Sequence, residues 1–326
     1  MSALLPLSLA CAAYDRTRAL IDGRVKVAGC EVSVVSPPTE EMFTRAFRDG
    51  DFDVSELSFG NFMRHVATGT CPYVGIPVFP SRAFRHSSIY VRADRGIVLP
   101  ADLRGKRVGL REYSNTASLT VRGFLFDDYG VDATDIHWYV GDIDHLERSR
   151  IDAPNLPERF RVETIGPGRL LSDMLEIGDL DALIAYRPPR CYRDEKAGIR
   201  RLFPDYAGAE RDYFSRTGIF PLMHLVGVKA VLVQEHPWIV SALIDAFAKA
   251  KDIALGELSS FSSLAVMLPW AQSELAGTRA RMGDDFWPYG LDKNRAAIDA
   301  LGRYALRQAI VDRLLVPEDM FARVAA

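Results

Sequence analysis

Short apolar runs alternate with segments of helical periodicity along this chain, and this alternation limits most strongly what it can fold into. Residues 5–13, 31–35 and 52–57 read as strands, and residues 40–48 place apolar side chains at helical spacing. Strands that alternate with helices are typical of βα units. The sequence therefore predicts an α/β fold with a mostly parallel sheet.

The chain of 326 residues exceeds the size at which one hydrophobic core usually keeps growing, so two lobes are expected. Strand-like residues 86–92 and 222–228 read as two crossing strands between them. We predict a discontinuous first lobe of residues 1–92 plus 226–326 and an inserted second lobe of residues 93–225. A small ligand would bind in the central cleft, where strand ends and helix N-termini converge.

Charge and apolar patterning exclude several classes of function. Lys and Arg number 40 against 43 Asp and Glu, a net charge of −3, without long runs of one sign. This balance argues against binding to nucleic acid or to anionic lipid. No window approaches the roughly 18 apolar residues of a membrane span, and the apolar start lacks the basic residues of an export signal. We expect a cytoplasmic protein with no membrane partner.

The spacing of cysteines and glycines indicates neither a metal site nor a nucleotide site. The four cysteines are scattered without a CxxC pair, which suits buried thiols in a reducing compartment. The glycine motifs of nucleotide-binding, dinucleotide-binding and serine-hydrolase folds are lacking.

Residues 79–88 concentrate groups that can bind an anion and transfer a proton. The segment contains Arg82, Arg85, His86, Ser87 and Ser88 directly before a predicted strand. Guanidinium groups can grip a carboxylate with two hydrogen bonds, and imidazole titrates near neutral pH. The alternative is a basic turn whose arginines pair with surface acids.

Further candidate catalytic and substrate-binding residues lie on or directly after other predicted strands. His224 lies on the second crossing, and Glu56 could orient a histidine or accept a phenol proton. Arg16, Arg187 and Arg190 could hold carboxylates from either lobe. Each histidine could instead be a buried hinge residue, each arginine could form an inter-lobe salt bridge, and the glutamate could cap the following helix.

Two more groups of side chains complete the predicted cleft. Ser114, Asn115 and Thr116 open a predicted helix that runs to residue 129, where hydroxyl, amide and backbone N–H groups can bind an acid. Trp287 and Tyr289 could form a wall of the cleft. Helix capping for the first group and core packing for the second are the alternatives.

Several sequence segments resemble the 4,5-dihydroxyphthalate decarboxylase family, whose members look like type II periplasmic binding proteins converted to enzymes. The resemblance rests on residues 7–10 and 14–18, 52–58, 76–88, 201–206, 213–221 and 282–290. It implies a two-lobed type II periplasmic-binding-protein-like fold. It also implies decarboxylation of a small hydroxylated aromatic acid, most simply 4,5-dihydroxyphthalate to protocatechuate.

The reaction implied by this resemblance uses no cofactor. A ring carbon para to a hydroxyl is protonated, and carbon dioxide then departs. His86 and His224 would be the proton carriers, with Glu56 beside them, and the arginines would hold carboxylates. The two histidines and the glutamate could together bind a metal ion if they converged, but no metal-binding spacing supports this and we expect none.

Two other functions remain open. A solute-binding protein would hold the acid without changing it, because a fold alone does not determine function. Another lyase or biosynthetic enzyme could use the same scaffold, since residues 141–157 depart from the pattern expected for the family. A homo-oligomer could form through the long C-terminal helices.

Overall fold

The computed structural model describes residues 3–146, 155–196, 198–260 and 262–323, and within them the strands form two sheets. The strands are β1 (Leu5–Ala10), β2 (Cys30–Val35), β3 (Val54–Ser58), β4 (Tyr73–Arg82), β5 (Ile89–Arg92), β6 (Arg107–Leu110), β7 (His137–Val140), β8 (Arg161–Thr164), β9 (Ala182–Ile184), β10 (Ile199–Arg201) and β11 (Leu222–Lys229). The α-helices are α1 (Asp15–Ile21), α2 (Thr39–Thr44), α3 (Phe59–Ala67), α4 (Thr116–Tyr129), α5 (Leu171–Ile177), α6 (Arg190–Arg193), α7 (Tyr206–Thr217), α8 (Ala230–Glu235), α9 (Ile239–Leu258), α10 (Ala271–Met282), α11 (Arg295–Arg307) and α12 (Pro317–Met320).

The first sheet has the order β2, β1, β3, β11, β4. The strands β1, β2 and β3 are parallel, whereas β11 runs antiparallel between β3 and β4. The carboxyl ends of β1 and β3 therefore lie at the same edge of the sheet as the beginning of β11. This edge is where ligands bind in open α/β sheets.

The second sheet has the order β10, β5, β9, β6, β7, β8. The strands β6, β7, β8 and β9 are parallel, and β5 is antiparallel to both β9 and β10. The α/β fold with parallel strands is confirmed for both sheets.

The two crossings differ from the predicted ones. Residues 86–92 are not one strand, because His86–Ser88 forms a 3₁₀ turn and only β5 follows it. The strand β5 pairs within the second sheet, whereas the sequence predicts it in the first lobe. The predicted second crossing, residues 222–228, lies in β11 of the first sheet. The connections are instead residues 83–88 and residues 202–221. Apolar alternation cannot show which sheet a strand joins, and the division into lobes stays a prediction.

Helix α4 packs in the core between the two sheets. Its residues from Thr116 to Leu125 are almost all buried, and it contacts α3, α11 and β11. The close approach of α3 requires a glycine, because a Cβ at Gly60 would lie 2.4 Å from the carbonyl oxygen of Ser114. The other face of the first sheet is covered by α1 and α9.

Two further findings concern the cysteines and the helices. Cys11, Cys30 and Cys191 are buried free thiols as predicted, and Cys71 is half-buried. In the described part of the chain, every helix is too short or too polar to cross a membrane.

Candidate active site

A buried carboxylate and a histidine form the centre of the site in the first sheet. Glu56 in β3 is fully buried, and its Oε1 lies 2.5 Å from Nδ1 of His224 in β11. The same oxygen accepts a hydrogen bond of 2.8 Å from the Tyr14 hydroxyl, and Oε2 accepts one of 2.9 Å from the backbone N–H of Ala12. Residues just after β1 thus hold the carboxylate that faces the histidine.

These contacts keep Glu56 ionised. Burial alone would raise the pKa of its carboxyl. The hydrogen bond and charge of His224 and the hydrogen bonds from Ala12 and Tyr14 together outweigh burial, so the pKa of Glu56 lies below its usual range. Burial and the neighbouring Glu56 charge raise the pKa of the Tyr14 hydroxyl. The tyrosine therefore stays protonated and donates to the carboxylate.

The position of His224 leaves one ring nitrogen available. The register of β11 against β4 shifts on both sides of His224, and such bulges re-aim side chains next to active sites. The edge of its ring packs against Phe43 of α2, with centroids 4.9 Å apart. Since Nδ1 is bonded to Glu56, Nε2 is the nitrogen without a partner among the described residues. A histidine held in this way can transfer a proton.

A flat guanidinium lies beside this pair. Arg16, at the start of α1, lies between two aromatic rings, 4.1 Å from the centroid of Tyr14 and 4.0 Å from that of Trp287. Its Nε donates to the carbonyl of Pro80 at 2.5 Å and its Nη1 to Asp15 at 3.0 Å. Its Nη2 has no acceptor in the described part of the chain. A stacked, pre-oriented guanidinium is suited to binding a carboxylate.

The second sheet reaches the same region through Tyr186, just after β9. The Tyr186 hydroxyl donates to Glu40 of α2 at 2.7 Å, and α2 also carries the Phe43 that contacts the histidine. Arg85 on the first connection donates from Nε to the sulfur of Met223 at 3.2 Å. Burial lowers the pKa of Arg85 to about 10, and Tyr186 partly offsets this. Tyr186 of the second sheet thus contacts the helix that packs against His224.

Two curated relatives cover most of this chain. It is 42% identical to a 4,5-dihydroxyphthalate decarboxylase of Comamonas testosteroni, over 97% of this chain and 96% of the relative. It is 43% identical to a protein of the same name from Pseudomonas putida, over 64% of this chain and 81% of the relative. The chain belongs to the 4,5-dihydroxyphthalate decarboxylase family. The resemblance noted in the sequence is confirmed.

Comparisons of fold agree with this family assignment. Residues 12–147 match the family model described as ABC transporter, phosphonate, periplasmic substrate-binding protein. The aliphatic sulphonate binding protein SsuA of Escherichia coli aligns with a TM-score of 0.56 at 14% identity, over 98% of both chains. A putative sulfonate-binding SsuA of Methylobacillus flagellatus aligns with a TM-score of 0.59 at 13% identity, over 98% and 92%. The predicted periplasmic-binding-protein-like fold is therefore confirmed for this member of the decarboxylase family.

Arg82 is used in packing rather than at the site of this decarboxylase-family chain. It is 7% exposed and donates to the carbonyls of Phe220 and Pro288 at 3.2 and 2.5 Å, and to Asn294 at 2.5 Å. Burial lowers its pKa to about 9. Its two Nη groups already bind protein oxygens, and its role as a carboxylate clamp stays a prediction.

His86 is also separated from the site. Its ring is 2% exposed and lies against Phe124, Phe203 and Tyr213, with centroids 4.3, 5.3 and 5.4 Å away. Burial lowers its pKa to about 4. The structure does not bring the two imidazoles to a shared hollow as expected, because the first connection turns His86 toward α4 and α7.

The residues at the start of α4 serve local structure. Asn115 caps the helix by accepting from the N–H of Ser118 at 2.8 Å, and Thr116 accepts from the N–H of Gly60 at 2.9 Å. The Ser114 hydroxyl donates to Glu112 at 3.0 Å. These contacts correspond to the capping alternative, and the role of the three residues in substrate binding stays a prediction.

The two serines of the first connection make backbone contacts. The N–H of Ser87 lies 3.4 Å from the carboxylate of Glu210, and the carbonyl of buried Ser88 accepts from Ala185 at 2.9 Å. Neither contact brings a serine hydroxyl to the carboxylate and histidine pair. Their predicted role in substrate binding stays a prediction.

The remaining arginines of the second sheet have different surroundings. Arg187 is exposed near Glu40 and helps to lower the pKa of that carboxyl. Arg190 pairs with Asp173 and is turned toward α5. This ion pair joins α6 to α5, and the binding roles of Arg190 and Arg187 both stay predictions.

The two predicted aromatic residues lie near Arg16. Trp287 stacks on this guanidinium and donates from Nε1 to the carbonyl of Phe79 at 3.0 Å. The Tyr289 hydroxyl is buried without a partner in the described ranges, and burial raises its pKa. Trp287 therefore supports the guanidinium from the C-terminal segment, and the role of Tyr289 in the cleft stays a prediction.

No group of three metal-binding side chains occurs within the ranges that the structure describes. Part of the divergent segment 141–157 lies outside those ranges.

Sequence reasoning missed Tyr14, Glu40, Phe43 and Tyr186. The position of Tyr14 immediately after the first strand was a usable signal, whereas the other three depend on how α2 meets the second sheet.

Proposed function

We propose that this protein is a carboxy-lyase that converts 4,5-dihydroxyphthalate to protocatechuate and carbon dioxide without a cofactor. The observation that carries the proposal is the buried Glu56 bonded to His224, beside the stacked Arg16, in a chain of the 4,5-dihydroxyphthalate decarboxylase family.

In the proposed reaction, His224 delivers a proton from Nε2 to the ring carbon that bears the leaving carboxylate. The hydroxyl para to this carbon donates electron density and stabilises the protonated ring. The bond to the carboxylate then breaks, its electron pair restores the aromatic ring, and carbon dioxide leaves. One proton is consumed for each carboxylate lost, and His224 regains its proton from water.

Glu56 and Arg16 have separate roles in this proposal. The Glu56 carboxylate fixes the His224 ring through Nδ1 and balances the charge of the imidazolium. Arg16 binds the carboxylate that stays on the ring through its available Nη2 edge, and the rings of Tyr14 and Trp287 hold the guanidinium in its orientation. Arg85 and Arg187 are candidates for a second carboxylate contact from the side of the second sheet.

The direct test is product analysis. Purified protein mixed with 4,5-dihydroxyphthalate should release equal amounts of carbon dioxide and protocatechuate, measured by manometry and chromatography. Phthalate, which lacks the para hydroxyls, should remain unchanged because its ring carbon gains no electron density. Absence of turnover with hydroxylated phthalates and benzoates would overturn the proposal.

Arg16→Gln tests the carboxylate contact. We expect KM to rise about 10- to 100-fold, the loss typical of a charge-assisted hydrogen-bond pair, with a smaller change in kcat. Arg18→Gln is the matched control, because Arg18 lies on the same helix and is exposed. An unchanged KM in Arg16→Gln would remove this residue from the site.

A solute-binding function is the second candidate, favoured by the match to a substrate-binding family model and by the sulphonate-binding structural neighbours. Binding of an aromatic acid that is recovered intact would support it.

The decarboxylase proposal includes a cytoplasmic location, which cell fractionation tests. Self-association stays a prediction that native mass measurement can test.

A further inference from the structure

Helix α4 contains a buried guanidinium that has no carboxylate partner in the described ranges. Arg122 lies in α4 and is 2% exposed. Among the described residues, no acidic side chain forms an ion pair with it. Like Arg82, it is held by neutral oxygens, and it also lies against the ring of Tyr113.

The protein supplies Arg122 with neutral contacts. Its Nε donates to Oε1 of Gln308 at 2.6 Å and its Nη2 to the carbonyl of Tyr113 at 2.5 Å. Its Cζ lies 3.8 Å from the ring centroid of Tyr113 and 5.5 Å from that of Trp138. Carbonyl, amide and ring contacts bring partial negative charge but leave a full positive charge in the interior.

Two buried donor groups remain beside these contacts. The Nη1 of Arg122 and the hydroxyl of Tyr113 are both buried, and neither has a partner in the described ranges. Buried polar groups are nearly always hydrogen-bonded, and a buried charge needs compensation. The guanidinium keeps its proton at neutral pH, so it cannot escape this cost by neutralisation.

We propose that Arg122 and Tyr113 form an internal binding site for one small monovalent anion of the halide type. An anion without hydrogens accepts from Nη1 and from the phenol at once and also neutralises the single buried charge. Water could fill the hydrogen-bonding role but would leave the charge in place. The stacked aromatic ring and the buried surroundings disfavour a large or multivalent anion.

The site has a structural consequence that is independent of the proposed reaction. Tyr113 follows β6, Arg122 belongs to α4, and Gln308 lies directly after α11. The Gln308 amide also donates to the carbonyl of Leu119 at 3.0 Å. A bound anion would therefore stabilise the contact of α4 with the end of α11 and with the segment after β6.

Halide-dependent stability tests this proposal. The full-length protein, dialysed into sodium gluconate, should gain about 4 °C in Tm when gluconate is replaced by chloride or bromide at constant ionic strength. Crystals grown with bromide should show an anomalous peak within hydrogen-bonding distance of Arg122 Nη1 and the Tyr113 hydroxyl. Equal Tm values in gluconate and halide, or a bromide crystal without this peak, would overturn it.

Variants separate this site from general salt effects. Tyr113→Phe removes only the hydroxyl and should reduce the halide-dependent gain in Tm by at least half. Arg303→Gln, at an exposed position of α11, should keep the full gain. Arg122→Met is expected to lose the gain completely, and if it does not fold, Tyr113→Phe together with the bromide map still decides the outcome.

Discussion

His224→Gln should lower kcat about 10²- to 10⁴-fold, the usual contribution of a positioned proton carrier. Glutamine can still donate a hydrogen bond toward Glu56, but its amide cannot carry a proton at neutral pH. The loss should therefore appear in kcat rather than in folding. Release of carbon dioxide measures the rate, and circular dichroism measures the Tm.

His236→Gln is the matched control for this variant, because His236 lies next to α8 and contacts Trp238 away from Glu56. It should keep the kcat of the unmodified protein. Glu56→Gln should also lower kcat, since the imidazolium would lose its balancing charge. If His224→Gln kept kcat within about threefold, His224 would not be the proton donor.

His86→Phe should preserve turnover and reduce the loss of stability at acidic pH. Burial lowers the pKa of His86 to about 4, from 6.5 in the unfolded chain, while nearby Asp128 raises it and Arg216 lowers it. Between these two pH values the unfolded chain binds the proton and the folded protein does not. The stabilising effect of a neutral His86 is therefore complete above pH 6.5 and is lost as pH falls toward 4.

The size of this effect follows from the pKa difference. A shift of about 2.5 pH units corresponds to about 3 kcal/mol of unfolding free energy, at 1.36 kcal/mol per unit. The free energy of unfolding, measured with urea, should decrease less between pH 7 and pH 4.5 for His86→Phe than for the unmodified protein. The phenyl ring should keep the stacking contact with Phe124.

His145→Phe serves as the control for this comparison, since His145 is exposed and lies outside the aromatic cluster around His86. An identical pH dependence in His86→Phe and the unmodified protein would contradict the buried neutral histidine. A large loss of turnover in His86→Phe would instead restore the catalytic role expected from the sequence.

Much of the fold follows from local patterns. The periodicity of residues 52–57 and 114–129 predicts β3 and α4 closely, and helix capping, the alternative given for Ser114, Asn115 and Thr116, is the contact that Asn115 makes. Such features depend on a few neighbouring residues, so the sequence contains most of the information. The bounds of β5 and the first connection were less well predicted, because strand pairing involves residues more than 90 positions away.

The sequence by itself determined the family, the α/β class, the positions of most strands and the presence of Glu56, His224 and Arg16 near strand ends. Only the tertiary structure decided which histidine meets the carboxylate. His86 and His224 carry the same imidazole and both lie near a crossing, but one packs among aromatic rings and the other reaches Glu56. This choice depends on sheet pairing and on a bulge in β11, which bring distant segments together and have no signature in either histidine's local sequence.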